Sequence, residues 1–590
     1  MKLETLNDIF FNAVAANLPR ILTYKHAGRW KDISSQELYR QVTAVARALQ
    51  AWGFRRGDHV AILSENRPEW QIADFACLLL GIVDVPIYAT LPADQIIYLL
   101  NNSEARAIFV STQEQLQKVL QIRRQTKIEK IVLMEDAPPG EAVAFQSLIA
   151  NAPTGRDAAL DAIGESIKPD DLATIIYTSG TTGTPKGAVL THGNITSNIS
   201  FSLRDFGSGT TDLSISYLPL SHITARHLDY YCLQCGVALA YCPHLEDLPQ
   251  TLMEARPTLL VSVPRVYEKV YNKVLLETRH GIKHKIYEWA MKVGRAHRQE
   301  ILSGKTPSSL QWKLADALFF SKVRKGFGGK ARAFISGGAP LGIDLATWFA
   351  DIGIVILQGY GLTETSPVIA INTPEANRLG TVGKKLPNVE VKIAEDGELL
   401  VRGPSVFHGY WKLPQETQEA FVDGWFKTGD IASLDADGFL SITDRKKDLI
   451  KTSGGKFIAP QPLENLLKSN PLVSQAAIIG DRRKFPAVII APHFPVLENW
   501  AQENNVSFSS HAQLITSPRV QELYEGIIEA LNQKLAQFEK LKKVLLVPDE
   551  FSIATGELTP SMKLKRRFVE KKYQTQIDAL YSNAETGVTV

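Results

Sequence analysis

The sequence predicts an α/β protein, in which a large N-terminal domain of layered, mainly parallel sheets and helices precedes a small α+β domain on a hinge. Short apolar runs alternate with helix-like segments over roughly the first 440 residues, which is typical of βαβ units. After Asp444 the chain turns basic and then glycine-rich, which indicates a boundary. At 590 residues, 45% of them hydrophobic and 22% charged, the chain is long enough for two well-packed domains.

The first βαβ elements are the clearest in the pattern. Val60–Leu63 is a short buried strand, and Asn66 and Pro68 are suited to begin a helix that runs through Trp70–Leu80. Further strands are predicted at Val83–Tyr88, Ala107–Val110 and Ile131–Met134. In parallel sheets of this kind, ligands bind on the loops at the carboxyl ends of the strands.

The segment Tyr267–Lys330 is helical in pattern and rich in Lys and Arg. Within it, apolar Leu318, Phe319 and Phe320 adjoin the cations Lys322, Arg324 and Lys325. Two interpretations stay open: the solvated face of a core helix, or a helix that rests on an anionic membrane surface.

The residues after Asp444 predict a separate C-terminal domain. A basic run at 445–447 leads to a flexible Ser453-Gly454-Gly455, and a turn is predicted near Thr555-Gly556. One helix is predicted with an apolar stripe of Leu523, Ile527, Leu531, Leu535 and Phe538. The predicted boundaries are an N-terminal domain at 1–444, a hinge at 445–448 and a mobile domain at 449–590.

Charge and composition exclude some classes of function. The net charge of +3 argues against a nucleic-acid partner. The N-terminus lacks the pattern of a signal peptide, and the longest apolar stretch, Ile72–Ala89, contains two aspartates and a proline, unlike a membrane span. With four cysteines, the chain is expected in the cytoplasm, with a peripheral location at the inner face of a membrane left open.

The strongest chemical signal is the run Tyr177–Gly187, which is rich in glycine, serine and threonine and contains Lys186. It follows the strand-like Ala173–Tyr177. Glycines let backbone N–H groups point at an anion, and hydroxyls and an ammonium add donors. The spacing is not that of a Walker loop, so the run predicts a polyphosphate site of another kind.

This run resembles the phosphate-loop signature of the adenylate-forming superfamily, which comprises acyl-CoA synthetases, peptide-synthetase adenylation domains and luciferases. Further segments resemble the family pattern in the same order: Ser336–Pro340, Gly359–Glu364, Thr428–Asp430, Asp444–Gly455 and Thr559–Arg566. The resemblance implies an enzyme that uses ATP and Mg²⁺ to convert a carboxylic acid to an acyl-adenylate and then transfers the acyl group to coenzyme A.

The resemblance also implies residue roles. Glu364 and Thr178 would hold Mg²⁺, Tyr360 would lie against adenine, and Asp430 and Arg445 would contact the ribose. The residues so assigned to ATP are Thr178, Ser179, Gly180, Thr181, Thr182, Gly183, Lys186, Gly338, Ala339, Pro340, Gly359, Tyr360, Gly361, Thr363, Asp430, Arg445 and Lys451.

Two further roles are implied for the C-terminal domain. Lys563 would assist adenylation by neutralising the two anions that react, with Lys565 as its rival in sequence. Lys447 would be the pivot on which the domain rotates for thioester formation. The residues implied in coenzyme A binding are Ser453, Gly454, Gly455 and Lys456.

The acid is less closely defined. Ser216–His222 and Val263–Tyr267 resemble segments of long-chain fatty acyl-CoA synthetases, and His222 is implied as a catalytic or gating residue beside the acyl site. Two alternatives stay open: a fatty acyl-AMP ligase or an enzyme that loads an acyl carrier protein, and a non-catalytic adenylate-binding regulator. The presence of Lys563 and Glu364 disfavours the regulator. Chain length and oligomeric state are not predicted.

Overall fold

The computed structural model describes residues 3–136, 140–150, 152, 154–178, 184–453, 456–559 and 562–582. Within them, no helix is both long and apolar enough to cross a membrane. The strands are β1 (Leu22–His26), β2 (Arg29–Ile33), β3 (His59–Leu63), β4 (Val83–Ile87), β5 (Ala107–Val110), β6 (Lys130–Leu133), β7 (Val143–Ala144), β8 (Leu172–Thr178), β9 (Lys186–Thr191), β10 (Leu213–Ser216), β11 (Ala238–Tyr241), β12 (Leu259–Ser262), β13 (Ala333–Ser336), β14 (Ile356–Gly361), β15 (Val368–Ile371), β16 (Lys384–Lys385), β17 (Glu390–Ile393), β18 (Glu398–Arg402), β19 (Gly409–Tyr410), β20 (Phe421–Val422), β21 (Trp425–Leu434), β22 (Leu440–Arg445), β23 (Ile450–Lys451), β24 (Phe457–Ile458), β25 (Val473–Ile479), β26 (Ala487–Pro492) and β27 (Val544–Leu546).

The helices connect these strands and cover the faces of the sheets. They are α1 (Leu6–Ala15), α2 (Ser35–Ala51), α3 (Pro68–Leu79), α4 (Ala93–Ser103), α5 (Gln113–Ile122), α6 (Phe145–Ile149), α7 (Ala158–Ser166), α8 (His192–Ser202), α9 (Ile223–Cys235), α10 (Leu248–Ala255), α11 (Pro264–Glu277), α12 (Gly281–Leu302), α13 (Leu310–Ala315), α14 (Ser321–Gly326), α15 (Ile343–Asp351), α16 (Pro414–Glu419), α17 (Pro460–Lys468), α18 (Phe494–Glu503), α19 (His511–Thr516), α20 (Pro518–Asn532), α21 (Arg566–Lys572) and α22 (Gln574–Ser582). A π-helical turn at Asp316–Phe320 joins α13 to α14.

Two large, mainly parallel sheets form the core of the N-terminal part, as predicted. One has the order β16-β15-β14-β13-β12-β10-β11-β1-β2, and the other has the order β19-β9-β8-β4-β3-β5-β6-β7. Their central strands, such as β3 and β4, are buried along their whole length, which is why they appear in the sequence as continuous apolar runs. A third, antiparallel sheet follows in the chain and is built from β17, β18, β20, β21 and β22.

The start of α3 differs in one detail from the prediction. Pro68 is the first helical residue, as expected, but the residue that precedes the helix is Arg67, not Asn66. The Asn66 amide instead donates hydrogen bonds to the Ser216 hydroxyl, at 3.0 Å, and to the Leu218 carbonyl oxygen, at 2.8 Å. Asn66 therefore joins one large sheet to the segment that follows β10 in the other.

A fully buried ion cluster fixes α9 against the second sheet. The Arg226 guanidinium lies 2.5 Å from an Asp84 carboxylate oxygen and also pairs with Asp74, and all three side chains are inaccessible to solvent. Since an unpaired buried charge is very costly, each member requires the others. The cluster fixes the first turn of α9, which begins directly after His222.

The C-terminal part contains the sheet β25-β26-β27 with α17 to α22 around it. Its longest helix is shorter than predicted, because α20 ends at Asn532 and Leu535 and Phe538 lie beyond it. The buried stripe is also different: Val520, Tyr524 and Ile528 face the core, whereas Leu523 and Ile527 are half-buried. The predicted turn near Thr555-Gly556 is present at 553–556.

Candidate active site

The predicted phosphate loop connects two antiparallel strands of the second sheet. Thr178, the last residue of β8, is paired in register with Lys186, the first residue of β9, and its hydroxyl donates to the Lys186 carbonyl oxygen at 3.3 Å. The strands β8 and β9 on either side of the predicted loop are therefore antiparallel partners. The predicted phosphate contacts Ser179, Gly180, Thr181, Thr182 and Gly183 lie outside the described residues.

The carboxyl end of β14 brings Glu364 to the same place. A Cβ atom on Gly361 would lie 1.8 Å from the Pro367 carbonyl oxygen, so only glycine permits the close turn that follows β14. Thr363 and Glu364 then form a short 3₁₀ turn, in which both are buried. The Tyr410 hydroxyl donates to Oε1 of Glu364 at 2.9 Å, which fixes the carboxylate.

Tyr410 also connects Glu364 to the hairpin. It lies in β19, which pairs with β9, and the Lys186 ammonium lies 5.2 Å from the centre of its ring. Lys186 and Glu364 thus lie against one tyrosine, and Thr178 is paired with Lys186 in the hairpin.

A second group of residues forms around Asp430. The Tyr360 hydroxyl donates to Oδ2 of Asp430 at 2.5 Å, and Nε of Arg445 lies 3.2 Å from Oδ1. Asp430 and Arg445 are opposite each other in the antiparallel pair β21–β22, so the backbone sets this contact. Burial, together with the negative charge of Asp430, raises the pKa of the Tyr360 phenol well above its ordinary value.

The glycine segments predicted to flank adenine lie side by side. Gly337 follows β13, and Gly359 lies within the adjacent parallel strand β14, two residues before its end. A Cβ atom on Gly337 would come within 3.7 Å of the Gly359 carbonyl oxygen. Gly338 has a φ of +80°, a conformation that favours glycine. Ala339 and Pro340 continue this loop, which is partly exposed and lies at the carboxyl ends of the strands, where ligands bind in sheets of this kind.

Glu364, Asp430 and Arg445 border a space that we name the cleft, and Lys563, from the C-terminal part, lies close enough for their charges to act on its ammonium. An isolated bridge between Leu558 and Leu564 forms the base of the turn that carries it, and its backbone N–H donates to the Thr559 hydroxyl at 3.0 Å. Enclosure by the surrounding protein, followed by the positive charge of Arg445, lowers the pKa of Lys563 to about 8, whereas Asp430 and Glu364 act to raise it. The side chain keeps contact with solvent within the cleft, which moderates the effect of enclosure.

His222 borders the same cleft. It is the residue before α9, and its Nδ1 accepts a hydrogen bond from the Thr224 backbone N–H at 3.1 Å. Enclosure by the protein and the neighbouring Lys563 ammonium lower the pKa of the His222 imidazole to about 4, so the ring is neutral at pH 7. Its other ring nitrogen, Nε2, therefore carries the proton.

The residues implied in pivoting and coenzyme A binding lie elsewhere, and so does Lys451, which the resemblance assigned to ATP. Lys447 is exposed in a turn after β22, and Lys451, in β23, has its ammonium 5.2 Å from the centre of the Phe457 ring. Ser453 donates its backbone N–H to the Arg483 carbonyl oxygen, and Lys456 is exposed. In the part of the chain that the structure describes, no hydrogen bond or ion pair joins these residues to the Asp430 group. Gly454 and Gly455 lie outside the described residues.

Three residues of the site were missed by sequence reasoning. Tyr410 fixes Glu364, the Thr428 hydroxyl accepts from the Asp430 backbone N–H at 3.1 Å, and Glu398 accepts from the Gly429 backbone N–H at 2.9 Å. Thr428 belongs to the segment Thr428–Asp430, and the resemblance of that segment to the family pattern is the signal that could have identified it. Tyr410 and Glu398 reach the site through strand pairing, which no local pattern reveals.

Two family models together match most of the chain. Residues 11–411 match the model of the AMP-binding enzyme family, and residues 447–585 match that of the AMP-binding enzyme C-terminal domain. The chain therefore belongs to the AMP-binding, adenylate-forming enzyme family.

Among the similar proteins are two named as long-chain-fatty-acid–CoA ligases. The one from Mycobacterium bovis is 37% identical over 562 residues, which cover 94% of this chain and 93% of the relative. The one from Xenopus laevis is 34% identical, over 96% of this chain and 82% of the relative. Among solved structures, an anthranilate CoA ligase in complex with anthranoyl-AMP superposes with a TM-score of 0.74 at 20% identity, over 97% of this chain and 98% of that chain, which shows the same fold.

Proposed function

We propose that the protein uses ATP and Mg²⁺ to convert a long-chain fatty acid to its acyl-adenylate, with release of pyrophosphate, and then forms the thioester with coenzyme A. The observation that carries the first step is the position of Lys563, whose ammonium shares one cleft with Glu364, Asp430, Arg445 and His222. Membership of the family supports the class of reaction. The names of the similar ligases support a long-chain fatty acid as the substrate and coenzyme A as the acceptor.

The cleft is suited to joining a carboxylate to the α-phosphate of ATP. Both reactants are anions, so their approach is opposed by repulsion that a fixed cation reduces. Lys563, which is largely protonated at neutral pH, supplies such a charge. In this proposal the Asp430 carboxylate accepts hydrogen bonds from the ribose hydroxyls, and Arg445 holds that same carboxylate in place.

The donor set near Glu364 fits a magnesium ion. Oε1 of Glu364 is held by Tyr410, and among the described residues no hydrogen bond occupies Oε2. Carboxylate and hydroxyl oxygens are the ligands that Mg²⁺ prefers, so Glu364 and Thr178 would hold it. When bound, the ion would neutralise charge on the phosphates.

The second step requires a different arrangement of the C-terminal part. In support of this, the charges of Arg445, Asp430 and Glu364 act on Lys563, whereas Ser453 and Lys456 are exposed and, among the described residues, form no hydrogen bond or ion pair with the Asp430 group. We propose that rotation about Lys447 exchanges these segments, so that Ser453–Lys456 borders the path of the coenzyme A thiol. The domain limits 1–444, 445–448 and 449–590 remain part of this proposal.

The test is to incubate the purified protein with ATP, Mg²⁺ and a series of straight-chain acids, with coenzyme A or a holo acyl carrier protein, and to identify products by mass spectrometry. We expect acyl-CoA from long-chain acids, with AMP and pyrophosphate. Acyl-adenylate that accumulates despite coenzyme A, or transfer to the carrier protein alone, would overturn the proposed acceptor. Failure of every acid to form an adenylate would overturn the proposal as a whole.

A further inference from the structure

The continuous helical segment 310–326, formed by α13, the π-helical turn and α14, has an apolar side that faces solvent. Leu310, Leu314 and Leu318 are 83%, 51% and 39% exposed. Their spacing of four residues places them along one side of the helix. The opposite side is buried against the core through Trp312, Ala315, Phe319, Phe320 and Val323. We name the exposed side, with its three leucines, the leucine stripe.

Cations surround the leucine stripe. Residues 305–330 contain six Lys or Arg and one acid, Asp316, which is paired with Arg324. Lys313, Lys322 and Lys325 are exposed, and no carboxylate among the described residues pairs with them. Because the whole chain carries +3, this segment of +5 leaves −2 for the remainder. The positive charge is therefore concentrated where the leucines are exposed.

Large apolar side chains exposed in a row are unfavourable in water, and a contiguous exposed patch marks an interaction site. A protein groove would explain the leucines but not the unpaired lysines beside them. Helices that lie at a lipid surface combine both features, since the apolar side enters the headgroup boundary and the cations meet anionic headgroups.

We propose that the leucine stripe, with Lys313, Lys322 and Lys325, is a docking surface for a bilayer that contains anionic phospholipids. Leu310, Leu314 and Leu318 enter the boundary between headgroups and acyl chains, and the three ammonium groups lie at the level of the phosphates. The stripe lies outside the Asp430 and Glu364 groups, so docking requires neither ATP nor the acid. The proposal therefore stands or fails independently of the proposed function.

The experiment is cosedimentation of the full chain with vesicles, without nucleotide or acid. Vesicles are made of phosphatidylcholine alone or of phosphatidylcholine with phosphatidylglycerol. We expect partition at least about tenfold greater into the anionic vesicles, since each lysine near such a surface contributes about fivefold. Binding should weaken as salt is raised. Equal and salt-independent binding to both vesicles, or no binding, would overturn the proposal.

Two variants separate the contributions. Leu310→Ser with Leu314→Ser and Leu318→Ser should lower partition at least about tenfold, as apolar area is lost from the interface. Lys313→Gln with Lys322→Gln and Lys325→Gln should remove the preference for anionic vesicles. Circular dichroism melting should be nearly unchanged, because exposed substitutions have small effects on stability.

The matched control replaces exposed apolar residues of the third, antiparallel sheet, away from the leucine stripe. Val422 and Leu434 are 42% and 46% exposed, and Val422→Ser with Leu434→Ser should leave partition unchanged. An equal loss in this control would show that the leucine stripe is not the docking surface. A leucine variant that binds vesicles normally but converts a dimer to a monomer would show contact between copies of the chain instead.

Discussion

The Arg265 guanidinium, in the first turn of α11, donates a hydrogen bond to the Ser474 carbonyl oxygen, at 3.2 Å, at the start of the C-terminal sheet. A second donor of Arg265 lies 3.3 Å from the Ser474 hydroxyl. Arg279, at the far end of the same segment, forms an ion pair with Glu503 at 2.8 Å. Contacts from α11 and from Arg279, just beyond its end, thus hold the C-terminal part in the orientation that places Lys563 in the cleft.

Replacing Arg265 with alanine should loosen this orientation. We expect adenylation, measured as acid-dependent pyrophosphate release, to slow between about tenfold and a hundredfold, which corresponds to the loss of hydrogen bonds from a charged group. Thioester formation from supplied acyl-adenylate should be unchanged or faster. Arg402, whose exposed ion pair with Glu390 lies within the N-terminal part, provides the control Arg402→Ala, which should have no effect. Equal slowing of both half-reactions would contradict the role of Arg265.

Lys563→Ala should lower the rate of acid-dependent pyrophosphate release at least about a hundredfold, because the positive charge that offsets two approaching anions is lost. Transfer of the acyl group from supplied acyl-adenylate to coenzyme A should be largely retained. The control is Lys565→Ala: the Lys565 ammonium lies 5.3 Å from the centre of the Phe568 ring, so its loss should matter little. Normal adenylation in the Lys563 variant would show that another group supplies the charge.

The rate of adenylation should depend on the charge of Lys563. With a pKa of about 8, the ammonium is present below that pH and is lost as the pH rises through it. We expect kcat/KM for the acid to fall above about pH 8, measured as a pH profile of pyrophosphate release. Lys563→Arg should flatten the decline, since a guanidinium stays charged. A decline that is identical in this variant would assign the titration to a different group.

Tyr410→Phe should raise the Mg²⁺ concentration required for half-maximal adenylation by about tenfold, because groups that orient a metal ligand affect affinity on this scale. The measurement is the Mg²⁺ dependence of pyrophosphate release at saturating ATP. Tyr39 provides the control, because its hydroxyl also donates to a buried carboxylate, Asp161, at 2.9 Å, away from the cleft. If Tyr39→Phe shifts the Mg²⁺ requirement equally, the effect is not due to Glu364.

The elements that could be predicted from the sequence are those with a local cause. The pattern located β3 and β5 closely because both are fully buried strands in which every residue except His59 is apolar. The helix α20 was predicted too long, since apolar residues at helical spacing continue past Asn532 into a turn. Only the contacts of the folded chain show that Leu531 lies within the helix and Leu535 beyond its end.

The residues of the candidate site were found by resemblance to a family, and the structure shows why local reasoning alone was insufficient. Asp430, Glu364 and Lys563 come from three distant segments, and each by itself has the pattern of an ordinary surface residue. Tyr410 was not found because its contact with Glu364 arises from the pairing of β19 with β9. Such a relationship exists only after the sheet has formed.

The end of β22 is attached to the N-terminal part beyond the ion pair of Arg445 with Asp430. The Lys446 backbone N–H donates to the Gly429 carbonyl oxygen at 2.9 Å, and its ammonium contacts Asp396 and Glu398 at 2.5 and 2.7 Å. A rotation that begins at Lys447 therefore leaves the Asp430 group undisturbed. We expect the reactive acyl-adenylate to stay bound by its ribose while the C-terminal part exchanges its segments, so that the intermediate is protected from escape and hydrolysis between the two half-reactions.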